Sequence, residues 1–541
     1  MRATVTNAKR RPLEPHRPVD QSLQRQARNI VRLALLVSLV AGVWFINRPV
    51  CQACGREEVW LSLADGTPIY GRLYTPPHAA NHLPAVVVCP GYLANLAFME
   101  SPWAADLTHL GAVVFLLDRR GQGRSGGSWW PATPSTTQRL FNADPDILAA
   151  ITYLRSRTPL VDPDRIALLG HSDGGTGVIM AASADWDVSA TVSLSASVAP
   201  WEFVNHEAPA NLLLLYGAED RFVLQNTDQR LIASATRGYL EGEGMVGQLR
   251  DGSARRLVRV PGRGHIDLLY SETARREVLR WIAEALRLDR AIDLSPPRVT
   301  GVLMGVALLF AILLFWHGLP RIVLPVGWRG WLTIAAVAGL WTSGLMLAAP
   351  AALRMTWVPA AEGSVVVAVL TVEMLLMASL ILLLMVIGWR SRPSFPRPAE
   401  ILANVGRGAA AGALFLLVLH VVLRPVYETT LNLQRALLFA LFTVIALPAF
   451  AAIELAGTSA PAICGRLSER LPMEFMLAIV ASAVAPHWFA RMSVLPVYLL
   501  AAALAFAGAY RAGNHPGGVA GAAAFGAVVY AHCMASVCAW Y

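Results

Sequence analysis

The feature that most constrains this chain is the series of apolar segments that fills its C-terminal half. From position 299 onward, stretches of roughly membrane-spanning length follow one another with short polar breaks: 299–316, 331–348, 364–387, 408–423, 436–455, 473–489, 495–510 and 518–540. A water-soluble core has no use for so many long apolar segments, whereas a bilayer demands helices of this kind. The reading is an all-α transmembrane bundle of about eight spans. An earlier apolar run, 30–46, is about long enough to span, and no small-residue cleavage site follows it, so it reads as an uncleaved anchor and not as a signal peptide. Between them, residues 56–290 have an ordinary globular composition. The expected organisation is a basic N-terminal segment 1–29, an anchor 30–46, a globular domain 56–290, a linker 291–298 and a multi-pass region 299–541. The totals agree, since 55% hydrophobic against 15% charged over 541 residues is too apolar for an ordinary soluble protein.

Charge orients the chain. Arg2, Lys9, Arg10, Arg11, Arg17, Arg25 and Arg28 precede the first run and place the N-terminus in the cytoplasm. The domain after the anchor then lies outside. Loops that fall inside on this scheme carry Arg321, Arg329, Arg390, Arg392, Arg397, Arg407, Arg466, Arg470 and Arg511; outer loops hold only Arg354, Arg424, Arg435 and Arg491. The net charge of +9 therefore reflects topology and lipid headgroups. No basic patch interleaved with aromatics points to nucleic acid. With Lys9 as the single lysine among many arginines, the composition suggests a GC-rich bacterial genome. The expected location is a bacterial inner membrane, with the globular domain facing the periplasm or exterior and membrane lipids as partners. Cys51 and Cys54, directly after the anchor, have the spacing of a small disulfide loop in an oxidising compartment. A metal site there would need partners that the sequence does not supply nearby.

Within 56–290, apolar strand-like runs alternate with amphipathic helical stretches, the pattern of a parallel sheet covered by helices. A hairpin around Asp65 and Gly66 comes first, then strands in "PAVVVCPG", "AVVFLLD", "RIALLG", "ATVSLS", "NLLLLYG" and "RRLVRVPG", with helices near 101–110, 145–157, 176–183 and 272–288. "LLGHSDGGTG" sits at a strand-to-helix junction, where Gly170, Ser172 and Gly174 fit G-x-S-x-G. In such a turn the serine adopts a strained backbone that lifts its hydroxyl out of the sheet. Alone, the motif is equally a surface turn, since glycine and serine crowd into ordinary turns. Three further elements occur in order: "PGY" at 90–92, "DRRGQGRSGG" from Asp118, and the pair "YGAEDRFV" and "GRGH".

With these four elements, residues 57–290 resemble the α/β-hydrolase superfamily, in particular its dienelactone hydrolase, serine aminopeptidase and prolyl-oligopeptidase-like esterase branch. The resemblance implies an α/β fold with a doubly wound, mostly parallel sheet and a triad in the order Ser172, Asp220, His265. A serine hydroxyl needs a base within hydrogen-bond reach, and the base needs a carboxylate to fix its tautomer. Backbone N–H groups of Tyr92 and Asp173 are the implied oxyanion donors. The commoner pattern has a histidine before the glycine of the first turn, and here Pro90 stands there. Glu219 is the rival acid, and His171 reads as a packing residue of the turn.

Trp129, Trp130 and Trp201 fall in loops at the carboxyl ends of strands, where they line a substrate pocket, face the bilayer or brace the loops. Glu373 and His420 lie inside apolar runs and read as a substrate-handling pair or as a polar pair joining helices. The resemblance implies no metal and no cofactor. The expected function is a membrane-anchored serine hydrolase cleaving a small-molecule or lipid ester. Peptide or amide cleavage and acyl transfer use the same triad. A sensor domain on a transporter-like bundle is the non-enzymatic alternative.

Overall fold

The computed structural model describes residues 21–49, 51, 53–77, 79–92, 94–127, 145–185, 187–196, 204–220, 227–296, 298–315, 397–424, 495–512 and 518–537, together with most of 436–451. The candidate pocket residues Trp129, Trp130 and Trp201, the intramembrane Glu373, and the apolar runs 331–348, 364–387 and 473–489 lie outside the described residues.

Nine strands form one sheet: β1 (Gly55–Ser62), β2 (Pro68–Thr75), β3 (Leu83–Cys89), β4 (Val113–Leu117), β5 (Val161–His171), β6 (Ala190–Leu194), β7 (Leu212–Gly217), β8 (Gly244–Val246) and β9 (Arg255–Val260). Their spatial order is β1-β2-β4-β3-β5-β6-β7-β9-β8. Strands β4, β3, β5, β6, β7 and β9 run parallel, and antiparallel pairs close both edges. Strands β3, β4 and β7 are apolar throughout because both faces are covered. Val86, Val88, Val114, Leu116, Ala167 and Leu169 join one core layer with Trp103, Leu107, Val278 and Ile282, while Val87, Val113, Phe115, Ile166 and Leu168 join the other with Ile147, Ile151 and Val178.

The domain's helices are α2 (Leu96–His109), α3 (Pro145–Ser156), α4 (Asp173–Ala184), α5 (Thr227–Thr236) and α6 (Glu272–Ala285), preceded by α1 (Gln21–Ile46). Several bounds differ from the sequence reading for physical reasons. Strand β5 starts four residues earlier, at Val161, because the Asp-Pro-Asp segment that reads as a turn still pairs, Leu83 with Val161, across a register shift. Helix α4 begins at Asp173, directly after Ser172, and not at 176. Helix α5, whose apolar stripe is only Leu231, Ile232 and Ala235, and the three-residue edge strand β8 are absent from the sequence reading because each is short.

The segment 291–298 is strapped to the domain. Ser295 N donates to Asp106 Oδ1 at 2.8 Å, Arg275 donates to Ser295 O at 2.6 Å, and Arg298 N donates to Ser101 Oγ at 3.0 Å. Beneath it the buried carboxylate of Asp106 is paired with Arg275, Nε to Oδ2 at 2.9 Å. The same helix α2 carries Glu100, buried against Arg72 at 2.9 Å and the Tyr74 hydroxyl.

Beyond the strap, the helices are α7 (Val299–Phe315), α8 (Pro398–Leu423), α9 (Leu495–Ala512) and α10 (Gly518–Val537). Among the described residues, only α8 is both long and apolar enough to cross a membrane, and Arg32–Phe45, Gly301–Leu313 and Ala520–Cys533 are shorter apolar helices. A Cβ at Gly408 of α8 would sit 1.9 Å from the carbonyl oxygen of Gly521 in α10, so these backbones touch where a side chain is missing. Asn47, just past α1, donates to the carbonyl of Val421 in α8 at 3.0 Å. His420 lies on α8 within Coulombic reach of His532 of α10.

Candidate active site

The site is built at the carboxyl ends of the central strands. Ser172 stands between β5 and α4 with φ 55° and ψ −120°, a backbone that costs a non-glycine residue about 1–3 kcal/mol. The flanking glycines permit it. A Cβ on Gly170 would lie 2.1 Å from the Gly174 carbonyl oxygen, and one on Gly174 would lie 2.4 Å from that of Pro90. The peptide of Ser172 is held by β6, its N–H donating to Leu194 O at 2.8 Å.

His265 lies in the loop after β9, and Asp220 in the loop after β7. Those loops are tied together: Glu219 N donates to Arg263 O at 2.8 Å, and Gly217 passes so near Arg263 that a Cβ there would be 2.3 Å from its carbonyl oxygen. Gly264 N donates to Asp267 Oδ1 at 2.7 Å, which fixes the turn that presents the imidazole. The outcome is a continuous chain. His265 Nε2 is 2.9 Å from Ser172 Oγ, and its Nδ1 is 2.8 Å from Asp220 Oδ2. His265 and Asp220 retain only 9% and 2% side-chain exposure, so little water competes for these bonds. Glu219 contributes its backbone to the loop junction, and Asp220 is the carboxylate that meets the imidazole.

The Pro90–Gly91 turn lies against Ser172, since a Cβ on Gly91 would fall 2.9 Å from the serine Cβ. Tyr92 directly follows this turn, and Asp173, the first residue of α4, directly follows Ser172. Asp118 organises this corner: its carboxylate accepts from Leu96 N at the start of α2, at 2.6 Å, and from Arg124 N, at 2.8 Å. Arg119, next along, forms an ion pair with Asp173.

Three side chains at the site were not singled out for the pocket by sequence pattern. His171 is buried, and its Nε2 donates to the carbonyl oxygen of His265 at 2.9 Å, with the two rings 4.8 Å apart. Burial, assisted by the neighbouring His265, pulls its pKa down to about 3, so it stays neutral. Phe98 of α2 and Tyr270, past His265, meet edge to face at 6.2 Å, and Phe98 also faces His171. No spacing rule connects positions 98, 171 and 270.

Residues 84–268 match the protein family described as alpha/beta hydrolase fold. This part of the chain has that fold. Among curated proteins, the chain is 31% identical over 153 residues to "Thiohydrolase apmlB" of Arthrinium phaeospermum, covering 28% of this chain and 46% of that one. It is 28% identical over 166 residues to "Polyketide transferase af380" of Aspergillus fumigatus, covering 31% and 53%. The chain thus spans about half the length of the curated relatives it matches. Among solved structures, a dienelactone hydrolase-like promiscuous phosphotriesterase from metagenomic libraries aligns with a TM-score of 0.34 at 19% identity, covering 44% of this chain and 99% of that one.

Proposed function

We propose that this chain is a membrane-anchored serine hydrolase that cleaves carboxylic esters through an acyl-enzyme on Ser172. The observation that carries the reading is the hydrogen-bonded series Ser172–His265–Asp220 at a strained strand-to-helix turn. In the resting state the Ser172 hydroxyl donates to His265 Nε2, and His265 Nδ1–H donates to Asp220. As Ser172 Oγ attacks the ester carbonyl, its proton passes to Nε2, and the imidazolium is held by the Asp220 carboxylate. The developing oxyanion is received by the N–H groups of Tyr92 and Asp173. The imidazolium then protonates the leaving alkoxide, and in the second half His265 takes a proton from the water that releases the acid.

Two relatives are named a thiohydrolase and a polyketide transferase. They favour a second reading in which the acyl group arrives as a thioester or leaves to an acceptor other than water. The two readings differ in leaving group and acceptor and share the triad. Phe98 and Tyr270 are candidates to line the acyl side of the pocket.

The membrane part of the reading rests on the apolar helices. Ile30, Leu33, Val37, Val40, Trp44 and Phe45 of α1 are more than half exposed, as are Leu402, Leu414 and Leu417 of α8, and lipid is the solvent that suits such surfaces. Arg48 stacks on the Trp44 ring at 3.9 Å, the pairing expected where a helix leaves the bilayer. On this reading the domain lies at the outer face of a bacterial inner membrane, and lipid-linked or envelope esters are the substrates nearest to hand.

The test is turnover of a p-nitrophenyl ester and of an acyl thioester by the full chain in detergent. Wild type should hydrolyse at least one and His265→Ala neither; equal rates for both proteins would refute the mechanism. Sidedness is tested by protease on intact spheroplasts, where cleavage of a tag within the domain is expected and full protection would overturn the placement.

A further inference from the structure

We propose that Cys51, Cys54 and His109 form a binding site for a thiophilic divalent metal ion, zinc in the first instance, which opens when the Cys51–Cys54 disulfide is reduced. In the structure the two cysteines are joined in a disulfide, with Cα atoms 5.4 Å apart. The fold brings to them a residue that is 58 positions away in sequence: His109, the last residue of α2, whose Nε2 lies 3.6 Å from Cys51 Sγ. All three candidate ligand atoms lie within 4.8 Å of one another.

These distances suit a tetrahedral metal. Bonds of about 2.3 Å to sulfur and about 2.0 Å to nitrogen imply a sulfur-to-nitrogen edge of roughly 3.5 Å. The observed separation is close to that value without rearrangement of His109. The two-residue spacing of the cysteines is that of metal-chelating pairs. Cys51 is buried and Cys54 half-buried against the domain core, whereas His109 is exposed, so the site has a protein floor and one side open to solvent. No fourth His, Cys, Asp or Glu joins the group among the described residues. One position is thus left for water or an exogenous ligand.

Opening requires a reductant, and a dithiol is the class that fits. Its thiolate attacks Cys54 Sγ, the more accessible sulfur, and Cys51 leaves as the thiolate. The second thiol of the reductant resolves the mixed disulfide, so the reductant departs as its cyclic disulfide and the pair gains two electrons and two protons. Metal binding then displaces both thiol protons. In either redox state the same groups clasp the segment that follows α1 onto the end of α2. The disulfide does so through the contact of Cys51 Sγ with His109 Nε2, and the metal would do so by direct bonds to His109.

The test uses the full-length chain in detergent, reduced with a dithiol that is then removed without oxygen, with zinc alone and cobalt(II) alone as probes. Reduced wild type should retain one more zinc per chain than oxidised wild type and than reduced Cys51→Ser/Cys54→Ser, and cobalt should show sulfur-to-metal charge-transfer absorption. His109→Ala should weaken binding at least tenfold while still forming the disulfide, and His109→Asp should recover part of the loss. Equal zinc retention by reduced and oxidised wild type would overturn the site. Equal affinity of wild type and His109→Ala would overturn it too, and neither comparison depends on the double-serine variant folding.

Discussion

In the domain of residues 55–290 most large apolar side chains are inside: Trp103, Phe115, Leu168 and Leu214 have no exposure at all. Helices α1 and α8 instead carry apolar side chains outside, with Leu33, Val40, Leu414 and Leu417 each more than 60% exposed, and in α8 Gly408 and Gly412 stand where it meets α10. On the membrane reading proposed above, the contrast follows from the solvent each region would meet. Water drives apolar groups into the sheet's two layers. Lipid gives no such drive, so in a bilayer the helical region would rely on close backbone approach. On the reading proposed above, the chemistry belongs to the first region, where burial desolvates Asp220 and His265, and the second would hold it near a surface.

That division can be broken by experiment, and the largest effect belongs to the domain. Asp220→Asn should lower kcat/KM for an ester by about 10³–10⁴-fold, because the amide no longer fixes the imidazole tautomer or stabilises its charge. A loss of less than tenfold would mean that the carboxylate is not the orienting group.

A second prediction concerns His171 and pH. Its folded pKa of about 3 lies below the ordinary value of 6.5, so the unfolded chain binds the extra proton between those limits. Stability from keeping it neutral is fully present above about pH 6.5 and is lost as pH falls toward 3, on the order of 5 kcal/mol in all. Thermal inactivation of the domain should accelerate between pH 7 and pH 5 in wild type, and markedly less in His171→Phe. Parallel pH profiles for the two proteins would remove His171 from this role.

In the helical region, Gly408→Leu should destabilise the α8–α10 contact by roughly 1–3 kcal/mol, since even a Cβ has no room there. The bundle's melting should shift while the turnover number of the surviving protein stays put. A fall in turnover matching that of Asp220→Asn would show that the two regions do not divide as described. The smallest effect is Glu219→Gln, expected to leave turnover within about twofold, because Glu219 serves the site through its backbone.

Much of this was legible in the sequence. The triad could be read because its members follow strand ends in a fixed order, and Gly170 and Gly174 advertise the tight crossing around Ser172. Strands β3, β4 and β7 could be read because burial on both faces leaves unbroken apolar runs. The rest depends on contacts between distant positions. The His171 bond to the His265 carbonyl, the Phe98–Tyr270 contact and the approach of His109 to Cys51 leave no periodic trace. The strap of 291–298 reads as a linker because its bonds are made mainly by its backbone to side chains of α2 and α6.

The central claim is that Ser172 is a nucleophile activated by His265 and Asp220. Its most direct measurement is covalent labelling of the full chain in native membranes with a fluorophosphonate, followed by peptide mass spectrometry. The account predicts a single phosphonylated residue, Ser172, on the peptide spanning the strand-to-helix turn, with labelling slowed by orders of magnitude in His265→Ala and absent in Ser172→Ala. An unlabelled Ser172 in folded wild-type protein, or labelling that survives Ser172→Ala unchanged, would contradict it.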